Sequence, residues 1–195
     1  MQLWDYHVYM AGTRGAEVLY DVPNAAVVSH SSNDAHPFAT GPWRGPGANT
    51  NIFARESQID IMAADAGIDP LDFRLRNATD SRVRDTLEAV AKLADWRPGP
   101  APSGRGLGIA CGLDAGTYVA HVAEVSVDRA TGSVRVERMW CAQEMGVVVN
   151  PEGATMQMEG CITMGLGYAL MEYIRFRGGD ILDRNFNTYR LPGFQ

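Results

Sequence analysis

Trp43-Arg44-Gly45-Pro46-Gly47, followed at once by Ala48-Asn49-Thr50-Asn51-Ile52-Phe53-Ala54-Arg55-Glu56-Ser57-Gln58-Ile59-Asp60, sets an irregular loop against the start of a helix. Between Thr40 and Gly47 three glycines and two prolines flank an aromatic-basic pair, which excludes regular structure there. Beyond the loop, Ile52, Phe53, Ile59, Met62, Ala63 and Ala66 recur at helical spacing. Asn49 or Thr50 can cap this helix and Gly67 stops it. Glu56 falls on the same apolar stripe, four residues after Ile52 and three before Ile59. A carboxylate in that position more often anchors backbone amides or an arginine than performs catalysis.

Two further helices follow. Asp69-Pro70 supplies a cap and a first-turn proline for a short helix through Leu71, Phe73 and Leu75 to about Asn77. A third spans roughly Ser81 to Trp96, with Val83, Leu87, Val90 and Ala94 on one face. Upstream, the first forty residues form short β-like runs with turn signals. Glu17 to Tyr20 is one, and Ala25 to His30 reads as a strand. Ser31 to Pro37 is polar and loop-like.

Arg97 to Gly104 is rich in proline and glycine and reads as a linker. Strands come after it: Leu107 to Cys111, Tyr118 to Val127 and Ser133 to Cys141, with Asp128-Arg129-Ala130-Thr131-Gly132 as a hairpin turn. Asn150-Pro151 then opens a long helix to about Tyr173 that carries Gly153, Gly160, Gly165 and Gly167. Each glycine costs about 1 kcal/mol relative to alanine in a helix interior, so a close backbone neighbour or a ligand is expected there. The expected architecture is α+β, helices packed on mixed β-sheet, in two subdomains: residues 1–98 with the loop and helices, and 105–195 with the hairpin and the long helix.

Composition narrows the function. The 195 residues are 46% apolar and can bury a substantial core. Lys+Arg 17 against Asp+Glu 23, with no basic stripe, argues against a nucleic-acid partner. Lys92 is the single lysine, so positive charge is nearly all guanidinium, which suits planar anions and equally suits an ordinary surface. Cys111, Cys141 and Cys161 are odd in number and far apart. They read as small core residues rather than zinc or iron-sulphur ligands or a disulfide framework. No signal peptide is legible, and no run approaches the about 20 apolar residues of a membrane span. The compartment stays open between cytoplasm and periplasm.

Two places could bind something. The glycines of Trp43-Arg44-Gly45-Pro46-Gly47 let backbone amides face outward at a helix N-terminus, which favours an anion, although a plain tight turn has the same form. No Lys-Ser/Thr follows, so it is not a P-loop. Gln157 lies mid-helix in Met156-Gln157-Met158-Glu159-Gly160, either solvated or turned to a ligand. His121, among Val and Ala, reads as packed or edge-lying, and no Ser-His-Asp or Cys-His arrangement emerges.

The order Trp-Arg-Gly-x-Gly, Glu56-Ser57-Gln58-Ile59-Asp60 and Asp69-Pro70-Leu71-Asp72-Phe73-Arg74-Leu75-Arg76-Asn77 resembles the molybdopterin-binding subunit of molybdenum hydroxylases, the xanthine dehydrogenase/aldehyde oxidase family. The second half agrees in Val122 to Asp128 with Thr131-Gly132, in Gly146 and Val149-Asn150-Pro151, in Gln157-Met158-Glu159-Gly160 with Gly165-Leu166-Gly167, and in Tyr189-Arg190-Leu191-Pro192. The step from Gly106-Leu107-Gly108-Ile109-Ala110 to Gly116-Thr117-Tyr118-Val119 looks most like the isoquinoline 1-oxidoreductase-type branch.

The resemblance implies hydroxylation of an N-heterocycle or aldehyde carbon with oxygen from water. It implies molybdenum on a molybdopterin in the cytosine dinucleotide form, with electrons leaving through iron-sulphur clusters on a partner subunit. By position, Trp43, Arg44, Gly45, Pro46 and Gly47 would pack beside the molybdenum, and Gln157 would hydrogen-bond the pterin or its pyrophosphate. Pro46 stands where xanthine-type enzymes place an aromatic ring, which puts purine stacking in doubt.

Two family segments have no counterpart in the chain: the Gly-Gly-x-Glu-x-Gly-Gln-Gly cofactor loop, and the Gly-Glu that follows Tyr-x-Leu-Pro and carries the essential base. The expectation is that this base lies beyond Gln195, that no catalytic or metal-ligating residue lies in the chain, and that the isolated chain is inactive. The site would then be completed by the remainder of the molybdopterin subunit or a second polypeptide. The alternatives are a non-catalytic remnant or partner-binding domain of the same fold, and an anion-binding module built on the Arg44 loop.

Overall fold

The computed structural model describes residues 1–30, 43–97 and 104–193. The chain is α+β and divides into two compact units, Met1–Gly146 and Val147–Gln195.

In the first unit β1 (Leu3–Tyr9) and β2 (Asn24–His30) pair in parallel, Leu3 opposite Asn24 and Tyr9 opposite His30. A parallel pair needs a long crossover, and the intervening segment supplies it. The run from Glu17 to Tyr20 is part of that crossover rather than a strand. Only Tyr20 makes a bridge, to Ala78.

Helix α1 (Ala48–Asp65) begins ahead of both expected caps. Gly47 holds the N-cap position with no side-chain hydrogen bond, and Asn49 instead accepts from the amide of Thr50 at 2.9 Å. Its end follows the sequence: Gly67 takes φ 63 and Ile68 N–H returns to Ala63 O at 2.9 Å. In α2 (Pro70–Asn77) Asp69 accepts from Leu71 and Asp72 amides, as its pairing with proline suggests. Helix α3 (Ser81–Leu93) is shorter than its apolar face suggests, because Asp95 at φ 50 turns the chain away.

Strands β3 (Arg105–Asp114), β4 (Thr117–Val127) and β5 (Val134–Glu144) form an antiparallel sheet in the order β3-β4-β5. An extra residue in β5, Glu137, bulges between the Glu124–Arg138 and Val125–Val136 pairs. Along β4 the alternate residues Tyr118, Ala120 and Val122 are buried. They join Ile59 and Ala63 of α1, Phe73 of α2, Val83, Leu87 and Val90 of α3, and Ile109 of β3 in one core. The Tyr118 hydroxyl donates to the α3 cap, Asp80, at 2.8 Å, which ties sheet to helix. The linker expected between Arg97 and Gly104 lies almost wholly outside the described residues.

In the second unit Asn150 caps α4 (Pro151–Leu170), accepting from Gly153 N–H at 2.9 Å. A small hairpin follows, β6 (Phe176–Arg177) and β7 (Asp180–Ile181). It turns on Gly178 and Gly179, both with positive φ, the backbone that a two-residue hairpin of this hand requires. Asp183, buried, closes the hairpin by accepting from the Arg175 backbone N–H and guanidinium, each at 2.6 Å. Among the described residues no helix is long and apolar enough to cross a membrane.

Candidate functional site

The two sequence-predicted sites fall in different units: Trp43–Gly47 in the first and Gln157 in the second. The loop is shaped by Gly45 at φ 64 and Gly47 at φ 73, left-handed conformations that favour glycine. Trp43 is exposed, and the Arg44 guanidinium carbon lies 5.1 Å from its ring centroid. Helix α1 starts immediately behind, with no side-chain cap at Gly47 and no acidic residue in its first turn, so no carboxylate of that turn offsets the positive end of its dipole. A group carrying negative charge is favoured at that end. Gly47 leans directly on the carbonyl of Ala11, with no room for a β-carbon between them.

Behind the loop lies a buried charge cluster. Glu56 accepts from Arg55 Nε at 3.0 Å, Arg74 Nε at 2.9 Å, the Tyr20 hydroxyl at 3.1 Å and the Cys111 amide at 3.1 Å. The anchoring role expected for this carboxylate is the one observed. Arg55 also donates to the carbonyls of Gly15, Glu17 and Cys111, and Arg74 to Asp60 and the carbonyl of Pro70. Burial alone would lower the Arg74 pKa, but Glu56, with Tyr20 and Asp60, more than offsets it and holds the group above its ordinary value. Burial first, then the Glu56 charge, pushes the Cys111 thiol up to about 12. Cys111 is therefore a protonated core residue, not a nucleophile. Cys141 and Cys161 are only half-buried, which corrects the reading of all three as core, and all three are free thiols.

Sequence reasoning found Glu56 but not Asn51, Arg55 or Arg74, which are almost fully buried. A signal was present for Asn51 and Arg55, which recur four residues apart on the buried face of α1 and so need buried partners.

Half of the residues of helix α4 are exposed despite its apolar composition, and Gly167 is its one buried residue. Gln157 is exposed, and its amide nitrogen lies 3.4 Å from Cys161 Sγ one turn on. The glycines separate into two kinds. A β-carbon on Gly167 would strike Glu172 and meet Pro192, whereas at Gly160 and Gly165 it would meet nothing within 4 Å. Gly160, one turn beyond Gln157, and Gly165, further along the helix, thus have open space where a side chain would stand.

His121 sits in the central strand rather than at an edge, paired with Ala110 and Cys141. Its Nε2 is buried without a hydrogen-bond partner among the described residues, and burial lowers its pKa. Among the described residues no group of three or more His, Cys, Asp or Glu could hold a metal ion.

Two family models match, both described as molybdopterin cofactor-binding domains: one over residues 4–78, the other over 114–195. Among curated relatives, one of the subunits of nicotinate dehydrogenase from Pseudomonas putida is 31% identical across 96% of this chain and 17% of its own length. The beta subunit of isoquinoline 1-oxidoreductase from Brevundimonas diminuta is 35% identical across 90% and 22%. The molybdenum-binding subunit of an aldehyde oxidoreductase from Escherichia coli is 31% identical across 91% and 25%. The chain therefore spans between 17% and 25% of the length of these relatives. An aldehyde oxidoreductase from Desulfovibrio gigas superposes with a TM-score of 0.66 over 87% of this chain and 37% of that one, at 16% identity, and shares the fold. Domain matches in both halves, relatives of one kind along nearly the whole length and the shared fold agree: the chain belongs to the molybdopterin cofactor-binding domains of the xanthine dehydrogenase/aldehyde oxidase family.

Proposed function

We propose that this chain forms part of the cofactor-binding wall of a molybdenum hydroxylase that oxidises an aldehyde or an N-heterocycle, with water as the oxygen source. The observation that carries this reading is the apolar, glycine-rich α4, open at Gly160 and Gly165 inside the second of the two matched domains. Its relatives are named for nicotinate, isoquinoline and aldehyde oxidation, which supports that substrate class. The residues fit a pterin. Open helical backbone leaves room for a flat polycyclic group, and the exposed Gln157 amide offers a donor and an acceptor beside it. The uncapped start of α1 behind Trp43–Gly47 suits an anionic or oxo-bearing group.

When bound, molybdenum on its pterin supplies two-electron oxidation of carbon. The chain's part is to bind and orient. Gln157 would hold the pterin or its pyrophosphate, and Trp43, Arg44, Gly45, Pro46 and Gly47 would shield the metal-facing side. We further propose the cytosine dinucleotide form of the cofactor, an iron-sulphur subunit as electron partner, and no turnover by the isolated chain, because the family's base segment has no match in it.

Metal and pterin analysis of the chain purified from its own host, with whatever co-purifies, tests this. Molybdenum and pterin in comparable amounts, with an iron-sulphur partner, are expected. Gln157→Ala should lower molybdenum occupancy at limiting cofactor, by about 1–3 kcal/mol of binding. Occupancy unchanged in that variant returns Gln157 to solvent, and turnover of quinoline- or aldehyde-type substrates by the pure chain overturns the inactivity.

A further inference from the structure

We infer that Asn51 is the positioning residue of the Trp43–Gly47 loop. It acts through the turn formed by residues 10–15, and its functional consequence rests on the cofactor role proposed for that loop. Asn51 lies on the first turn of α1 and is almost completely buried. Its amide nitrogen donates to the carbonyls of Gly12, at 2.8 Å, and Arg14, at 2.9 Å, and its oxygen accepts from the Tyr6 hydroxyl at 3.0 Å. Both N–H groups are used and the acceptor is filled, so the side chain has one orientation.

The turn it grips is an unusual piece of backbone, with Met10, Gly12 and Gly15 all at positive φ. Two close approaches seat that turn against the loop. A β-carbon on Gly47 would collide with Ala11 O, and one on Gly15 would lie 2.7 Å from Ala48 Cα. The other side of the turn is held by Arg14, whose guanidinium donates to both Asp114 oxygens, at 2.8 and 2.6 Å, at the end of β3. The turn is thus wedged between the sheet and the start of α1, and it meets the loop–helix junction at Gly47, Ala48 and Asn51. The direction in which Trp43 and Arg44 leave that junction is set there. Neither aspartate nor alanine can make this set of two donated bonds and one accepted bond. Aspartate would face two carbonyls without a donor, and alanine would remove all three part-buried hydrogen bonds.

The test is ¹⁹F NMR of the chain carrying 5-fluorotryptophan, with the Trp43 signal assigned by Trp43→Phe. Asn51→Asp and Gly47→Ala should each shift or broaden the Trp43 signal while those of Trp96 and Trp140 stay in place. Arg14→Ala, which removes only an exposed ion pair, should do so to a smaller degree. Acidification that protonates the carboxyl introduced by Asn51→Asp restores one donor and should move the Trp43 signal back. A merely structural role does not predict that return. If Asn51→Asp does not fold, Gly47→Ala and Arg14→Ala decide. A Trp43 signal unmoved in the folded variants overturns the inference. Pterin content of the same variants, purified from the host, separates the two claims. Loss of pterin together with the Trp43 shift supports both, whereas a Trp43 shift with pterin retained leaves the clamp standing and refutes the cofactor role of the loop.

Discussion

Removing the Glu56 carboxylate should be among the most damaging single changes available to the first unit. The group receives four donors, two of them guanidinium N–H groups, in surroundings where its side chain is 5% exposed. Hydrogen bonds to charged groups contribute about 1.5–3 kcal/mol each and neutral ones about 1. Part of this survives the change, because Arg55 keeps three carbonyl partners and Arg74 keeps Asp60 and Pro70 O. What is lost is the counter-charge between two buried cations, and breaking such a cluster costs about 3–5 kcal/mol. For a domain of this size that corresponds to a fall in Tm of roughly 6–20 °C. Asp60→Asn is the control. Asp60 is about half exposed and Arg74 keeps Glu56, so under about 1 kcal/mol is expected. Urea unfolding followed by tryptophan fluorescence measures both. A Glu56→Ala variant within about 1 kcal/mol of the parent would refute the view that this cluster organises the core.

Acid should loosen the second unit through Asp183. Its carboxyl is held at about 2 by the Arg175 guanidinium first and the Arg175 backbone N–H second. A carboxyl depressed in the fold contributes stability above its unfolded value near 3.9 and loses it as pH falls toward the folded value. Hairpin NMR signals should disperse less between about pH 4 and 2, and Asp183→Asn should abolish that window. His121 acts with the opposite chemistry. Burial keeps its imidazole below the usual value, so the unfolded chain binds a proton that the fold refuses, and stability falls as pH drops through about 6.5. Replacing it with leucine should leave neutral-pH stability within about 1 kcal/mol and flatten that acid-side loss, because its Nε2 has no partner among the described residues to lose; an unchanged pH slope in the variant sinks the idea. Limited proteolysis should cut first between Arg97 and Gly104, as the composition there proposes. The products should stay associated, since Leu87 and Val90 on one side share a core with Ala120 and Val122 on the other. A linker that resists while other segments are cut counts against a division at that point.

The helices were legible in the sequence because their ends carry local chemistry. Asp69-Pro70, Gly67 and Asn150-Pro151 each satisfy or terminate backbone groups within a few residues, while α3 was read from its apolar face alone. The antiparallel sheet was legible for the same reason, since the Asp128–Gly132 turn fixes which strands meet: Asp128 receives the amides of Ala130 and Thr131, and its own amide donates to Ser133 O. The parallel β1–β2 pair was not legible. Its register is set across a long crossover whose turn signals do not say which strands pair, and β2 is exposed enough that no alternation marks a buried face. The start of α1 differs from the sequence expectation because the side chains of Asn49 and Thr50 suggest a cap, while the true constraint is steric. Gly47 must pass close to Ala11 O, a contact between residues far apart in sequence.

The same distinction governs the candidate site. A glycine in a helix says only that a β-carbon is absent, not what excluded it. Gly153 and Gly167 are accounted for inside this chain, the first against its own cap Asn150 and the second against Glu172 and Pro192. Gly160 and Gly165 are not, since a methyl group fits at either without contact. An unopposed glycine costs about 1 kcal/mol of helix propensity, so two of them in one helix weaken it by about 2 kcal/mol with no return from the described residues. Replacing both by alanine therefore separates two explanations. If the chain is complete in its contacts, the double variant gains stability close to that sum. If a pterin or another polypeptide approaches the α4 backbone at those turns, the isolated variant still gains, but it retains less cofactor and less partner than the parent when purified from the host. A gain in stability with undiminished retention would remove α4 from the cofactor wall and leave the Trp43–Gly47 loop to carry the proposal alone.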